Sequence, residues 1–458
     1  MEYEEFIKQR EYAPIVSGFE ADESAFPKSM FDHQRAVVKW ACRRGRAGVF
    51  MDTGLGKTIT QLTWADQVCR KTGGYVLVLA PLAVANQTVR EADKFGLAAT
   101  LAEGDDDISE PGVYVTNYEK LHRFTPEQFA GVVLDESSIL KGMQGRVRAQ
   151  ITEFFSGTPY RLSCTATPSP NDFMELGTQS EFLGIMSQAE MLAMFFIHDT
   201  SGGTGSWRLK GHGKSRFWEW LATWCVFLRS PADIGFDSTG YDLPAIEMHE
   251  HVVSTVPDGS LFVEPAQSLQ ERNQARRESV EARCRVAADI VNALDEPCAV
   301  WCNLNAESEL LAKLIDGAVE VTGSDTPDHK AKSLIAFADG KIKALISKPK
   351  IAGFGMNFQS SRHCVFVGLS DSWESYYQAI RRQWRFGQTR TVHCHIVSAD
   401  TEGAVVENIR RKDAQHAELS AAMMAQMIDF MKKEVFGAAV EKTDYVAEMD
   451  MIVPDWVL

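Results

Sequence analysis

AGVFMDTGLGKTITQLTWA, Ala47 to Ala65, runs from an apolar stretch through a glycine-punctuated turn into a helical pattern. Gly54 and Gly56 let the backbone turn so that N–H groups from Thr53 through Gly56, Leu55 included, face an anion. The helix start adds a favourable dipole. Lys57 supplies an ammonium for phosphate oxygens and Thr58 a hydroxyl for Mg²⁺. The strict G-x-x-x-x-G-K-[ST] spacing asks for glycine at position 51, where this chain has Met51. The strand before and the helix after still give the loop the context that phosphate binding needs.

GVVLDESSIL places Asp135 at the end of an apolar strand, 78 residues after Lys57, with Glu136 beside it. Asp135 is suited to holding Mg²⁺, partly through water, and Glu136 to positioning or deprotonating an attacking water. Alone, such a pair is an ordinary turn. Together with the phosphate loop it predicts nucleoside triphosphate hydrolysis, with ATP and Mg²⁺ as cofactors. RLSCTATPSPND then puts the hydroxyls of Thr165 and Thr167 at the end of another strand, able to sense a γ-phosphate and pass its state on. Far downstream, QAIRRQWRFGQTR carries four arginines and no acidic residue in a chain of formal net charge −15. So local a positive charge needs a partner, and a phosphate is one.

Elements of a particular kind must hold these residues. Two segments, about 31–180 and about 285–415, alternate short apolar runs with helical patterns: YVLVLAP, VYVTNYE and GVVLDES in the first, CAVWCNL, KALISKP, HCVFVGL and VHCHIVS in the second. That alternation predicts two α/β domains with parallel sheets. The expected division is 1–180, an N-terminal ATP-binding domain; 181–265, a helical and loop insertion with linker; 266–415, a second domain; and 416–458, a helical tail. In the tail Met423, Met427 and Met431 recur every fourth residue, a helix packing on its own domain. Nine cysteines, an odd number without a metal-type spacing, read as reduced structural thiols. His393 and His395 in VHCHIV fit one face of a strand better than a metal site. No apolar run reaches 18 residues and MEYEEFIKQREY is acidic, which predicts a cytoplasmic protein without a membrane.

In this order the motifs resemble those of a superfamily 2 helicase or translocase, more closely its SWI/SNF-like branch, from about Phe31 to about Gln415. MDTGLGKT is similar to that branch's DEMGLGKT, DESS stands where it has DEAH or DEAD, and TATP resembles its S/TAT motif. SKPKIAGFGMNFQ is similar to STxAGGxGLNL, with Gly355 among the matches. SDSWESYYQAIRRQWRFGQTRTV resembles DPxWNP…QAxxRxxRxGQxxxV, with Asp371, Gln378, Arg382 and Arg385 matching and Trp384 replacing the usual histidine. The resemblance implies an α/β fold of two RecA-like parallel-sheet domains in tandem with a helical insertion between them. It implies adenine contact by Gln34, a nucleotide site holding Gly355, and catalysis shared by Lys57, Asp135, Glu136, Gln378, Arg382 and Arg385 across a cleft. It places Pro81, Thr116 and Tyr118 along a nucleic-acid strand.

SWRLKGHGKSRFWEW interleaves Lys210, Lys214 and Arg216 with Trp207, Phe217 and Trp218, either a phosphate and stacking surface or a solvated loop beside buried aromatics. The leading function is an ATP-dependent motor on nucleic acid, duplex or branched DNA rather than RNA, and the compact size suits a phage or mobile element. The alternative is an ATP-gated DNA clamp or adaptor for a nuclease or replication partner.

Overall fold

The computed structural model describes residues 18–141, 145–169, 172–199, 206–254, 277–352, 356–370 and 372–436. Gly355 and Asp371 lie outside the described residues.

Apolar runs become strands covered on both faces. In β2 (Tyr75–Ala80) every residue after Tyr75 is buried, as a central parallel strand requires. With it run β1 (Arg46–Met51), β3 (Thr100–Leu101), β4 (Val113–Asn117), β5 (Phe129–Asp135) and β6 (Tyr160–Thr165). A hairpin, β7 (Phe196–Asp199) and β8 (Ser206–Leu209), precedes β9 (Cys225–Leu228). The first sheet is parallel throughout, in the order β3-β4-β2-β5-β6-β1-β9. Because its strands share one direction, β1, β5 and β6 end on one edge: Asp135 is in register with Cys164, and Phe50 with Thr165. Ligands of open α/β sheets bind outside this carboxyl edge.

The second sheet is also parallel, in the order β10-β15-β14-β11-β13-β12. Its strands are β10 (Ile246–Val253), β11 (Cys298–Cys302), β12 (Ala318–Val321), β13 (Ala344–Ser347), β14 (His363–Val367) and β15 (Val392–Ala399). One core holds Trp301, Phe337, Phe358, Phe366 and Trp373, and another holds Cys284, Val291, Val300, Val365 and Val397. The fold is α/β, two parallel-sheet domains.

Two boundaries differ from expectation. Within 181–265, β9 completes the first sheet beside β1, and β10 opens the second. The helix Lys214–Trp224 buries Phe217, Trp218 and Trp224 in the first domain's core, and this aromatic content makes the segment part of that domain. The tail helix begins before residue 416: Gly403–Phe436 is one helix, about 50 Å long at 1.5 Å per residue. Its start buries Val405, Val406 and Ile409 with the second domain, while Met423, Met427, Met431 and Val435 lie in the first domain's core. The methionines pack as their spacing predicts, but across the domain boundary. All nine cysteines are free thiols. Among the described residues no helix is long and apolar enough to cross a membrane.

Candidate active site

The turn after β1 has Gly54 at φ 92° and Gly56 at φ 85°, left-handed geometry that glycine adopts without strain. Lys57 opens the helix Lys57–Thr72, and its Nζ donates to the carbonyls of Met51 at 2.7 Å and Asp52 at 3.4 Å. Thr58 follows it in the first turn. Burial pushes the Lys57 ammonium below its usual range, against the pull of Glu136, Asp52 and Asp135. At the end of β5, burial and the Glu136 charge raise the Asp135 carboxyl to about 7, with Lys57 opposing. Glu136 alone among the described non-glycine residues has a positive φ, 53°, a conformation worth about 1–3 kcal/mol of strain. Its carboxylate accepts from Thr165 Oγ1 at 3.4 Å, and Thr165 Oγ1 accepts from the Thr167 N–H at 3.1 Å. Thr167 Oγ1 is buried with no partner.

The second domain closes over this edge. Burial and its neighbour Arg385 push the Arg382 guanidinium down to about 10, against attraction to Glu136 and Asp135. Its Nε donates to Gln378 O at 3.1 Å, while the buried Gln378 Oε1 has no partner. Burial lowers Arg385 as well, opposed by Glu91 of the first domain. Lys57 and Arg382, from opposite domains, thus lie close enough to repel each other beside two carboxylates. Two cations from opposite domains thus face two adjacent carboxylates. The donor set, a hard carboxylate from Asp135 and a hydroxyl oxygen from Thr58, fits Mg²⁺.

Residues without an assigned role make the closest interdomain contacts. Arg381 Nη2 donates to Asp52 Oδ2 at 2.8 Å, and Tyr377 Oη donates to Asp52 Oδ1 at 2.9 Å. Burial would raise Asp52, but Arg381, the Thr53 N–H, Lys57 and Tyr377 outweigh it and hold the carboxyl below 3.8. Arg381 also lies over Tyr377 and Trp384, at 5.0 and 4.5 Å from their ring centroids. Phe386 abuts the phosphate loop so closely that a Cβ on Gly54 would sit 2.7 Å from it. Phe386 stacks on Tyr241 at 4.4 Å and meets Phe31 edge-on. Lys141 pairs with Glu374 across the same cleft. The only sequence signal for Arg381 was its place in the basic island, and for Asp52 its lone acidity in the loop.

Several expected contacts do not have the expected geometry. Gln34 is 4% exposed, with its oxygen on the Phe31 N–H at 3.0 Å and its nitrogen on Leu55 O at 3.1 Å. It braces the phosphate loop. Thr116 is 1% exposed within β4 with its hydroxyl unpartnered, and the half-buried Tyr118 donates its hydroxyl to Asp135 O at 2.7 Å. Pro81 is half-buried at the start of the helix Leu82–Phe95. Lys210 Nζ donates to the carbonyls of Ala193 and Met194, closing the helix Gln188–Phe195. Lys214 and Arg216 are exposed, but Phe217 and Trp218 are buried in the core and cannot stack on bases. Arg390 pairs with Glu296 at 2.8 Å.

A family model described as DEAD/DEAH box helicase matches residues 31–176, and one described as helicase conserved C-terminal domain matches residues 283–387. Together, in that order, they take in more than half of the chain. The chain belongs to the superfamily 2 helicases. Both faces of the cleft thus fall inside helicase domains. It is 27% identical over 148 residues to the bifunctional helicase and thymine dioxygenase JBP2 of Leishmania braziliensis. That match takes in 30% of this helicase and 13% of the length of the Leishmania protein. Among solved structures, the Sulfolobus solfataricus SWI2/SNF2 ATPase core in complex with dsDNA is similar at 16% identity and a TM-score of 0.43. The match covers 91% of this helicase and 99% of that chain.

Proposed function

We propose that this helicase is a double-stranded or branched DNA translocase of the SWI/SNF-like branch, moved by ATP hydrolysis in the cleft between its two domains. The observation that carries the reading is the meeting of Arg382 from one domain with Lys57, Asp135 and Glu136 from the other, with Arg385 beside it facing Glu91. A site completed only when two domains touch is built when nucleotide binds and dismantled after hydrolysis, which alternately shortens and lengthens the grip on a strand. In this reading the phosphate loop and Lys57 hold the phosphates of ATP, and Arg382 and Arg385 stabilise charge as the γ-phosphoryl is transferred. Such arginines contribute about 10³–10⁵ in turnover. Glu136 orients the attacking water and takes its proton, with Thr165 holding that carboxylate in place. Asp135 and Thr58 would hold Mg²⁺, which would supply neutralisation of phosphate charge. Lys214 and Arg216, exposed at a helix start, supply sequence-independent phosphate contacts.

ATPase rate measured without nucleic acid and with single-stranded, duplex or forked DNA or RNA tests this. The expected result is strong stimulation by duplex or forked DNA. A flat response across the panel would sink the motor reading and favour an ATP-gated clamp or adaptor.

A further inference from the structure

β10 and β15 run parallel, and their register stacks histidines on one face of the second sheet. Glu247 lies opposite His393 and His249 opposite His395; His251 is two residues further along β10, and His363 of β14 lies beside His393. Alternation along β15 alone could place His393 and His395 on one side, as expected. It could not reveal that a strand 144 residues away brings more imidazoles against them.

The distances are those of a ligand set. His249 Nε2 is 3.2 Å from His393 Nδ1, and one oxygen of Glu247 is 3.3 Å from His393 Nδ1 and 3.8 Å from His249 Nε2. Zinc binds nitrogen and oxygen at about 2.0–2.2 Å, which in a tetrahedron spaces ligand atoms about 3.3 Å apart. The triangle formed by these three atoms has a point about 2.0 Å from each corner, a zinc–ligand distance. Glu247 is more than half exposed and His249 more than a third, so a water can reach the remaining position. Two imidazoles and one carboxylate suit zinc, whereas magnesium prefers an all-oxygen shell.

We propose that Glu247, His249 and His393 bind one Zn²⁺ ion, separate from the nucleotide site. The ion joins β10 to β15 just where the chain enters the second domain. That entry is already tied down by Val392 N–H donating to Ala245 O at 3.0 Å and by Trp384 Nε1 donating to Pro244 O at 2.7 Å. Trp384 belongs to the same arginine-rich stretch that reaches the phosphate loop, so a metal here stiffens the support behind that stretch.

Calorimetric titration of Zn²⁺ into the chelator-treated full chain tests the proposal, with millimolar Mg²⁺ present so that the nucleotide-site carboxylates are not counted. One site per chain is expected, weakened at least about 100-fold in H249A/H393A and about 10-fold in E247Q. H122A, at an exposed histidine outside the cluster, should bind as the unaltered protein does. Co²⁺ in place of Zn²⁺ should give visible absorption bands that the double variant lacks. Unchanged circular dichroism and thermal unfolding in the metal-free variants, compared with the metal-free unaltered chain, would show that they fold; if the double variant does not, E247Q decides. An unaltered protein that takes up no Zn²⁺, or equal affinity in E247Q and H249A/H393A, would overturn the proposal.

Discussion

Lys57, Asp135, Glu136 and Arg382 hold two positive and two negative charges in one buried place, and each has a separate consequence when removed. Lys57→Ala should eliminate measurable turnover and weaken nucleotide binding, because its ammonium is the fixed cation of the loop. Glu136→Gln should lower turnover about 10²–10⁴-fold while nucleotide affinity stays within about threefold. Fluorescent nucleotide titration beside steady-state ATPase separates the two, and equal loss of affinity in both variants would contradict these roles. Asp135 adds a pH dependence. Its carboxyl rises from 3.8 to about 7, so between those values the native state binds more protons than the unfolded chain. In metal-free protein this group therefore lowers stability as pH rises across that window. A metal needs the carboxylate, so Mg²⁺-dependent nucleotide affinity should increase with pH up to about 7, and Asp135→Asn should flatten the profile. An unchanged profile in that variant would assign the titration to another group.

At the scale of elements, the phosphate loop and the helix Trp373–Ile380 with the turn after it form one unit across the cleft, fastened by Asp52. Breaking a buried ion pair by removing one partner costs about 3–5 kcal/mol, since the other charge stays buried. Asp52→Asn leaves the buried Arg381 guanidinium without its carboxylate. The domains should then separate, seen as a larger radius of gyration in X-ray scattering, with Phe386 withdrawn from Gly54. Unchanged scattering together with unchanged thermal stability would mean the pair does not hold the cleft. Much of this unit was legible in the sequence. Gly54, Gly56 and Lys57 are informative because backbone geometry and charge dictate phosphate binding locally, and the Asp135–Glu136 pair because an apolar strand delivers it. Asp52–Arg381 was not legible, because its partners are 329 positions apart and only the folded cleft brings them together. Gln34 and Tyr118 were placed by motif, and their hydrogen bonds brace the loop and β5, whereas Thr116 is buried in β4 with its hydroxyl unpartnered.

Across the whole molecule, the two sheets are joined by more than the cleft. The helix Gly403–Phe436 starts in one core and ends in the other, with Arg43 donating to Val435 O at 2.7 Å and Arg44 pairing with Glu434. Its methionine spacing predicted burial, yet a periodic pattern identifies a buried face without naming the surface that covers it. The aromatic run Phe217–Trp224 left two readings open for a related reason: interleaved basic and aromatic residues suit a nucleic-acid surface and the rim of a core equally well, and here the rings fill the core. Relative motion of the domains must therefore bend or re-seat a helix anchored at both ends, which suits short, repeated steps better than wide opening. The most direct measurement of the central claim is ATP-driven displacement of a labelled third strand from duplex DNA. An ATP-driven translocase gives displacement by the unaltered chain, none by Glu136→Gln, and none for either without ATP. DNA-stimulated hydrolysis with no displacement on any duplex length would contradict the claim.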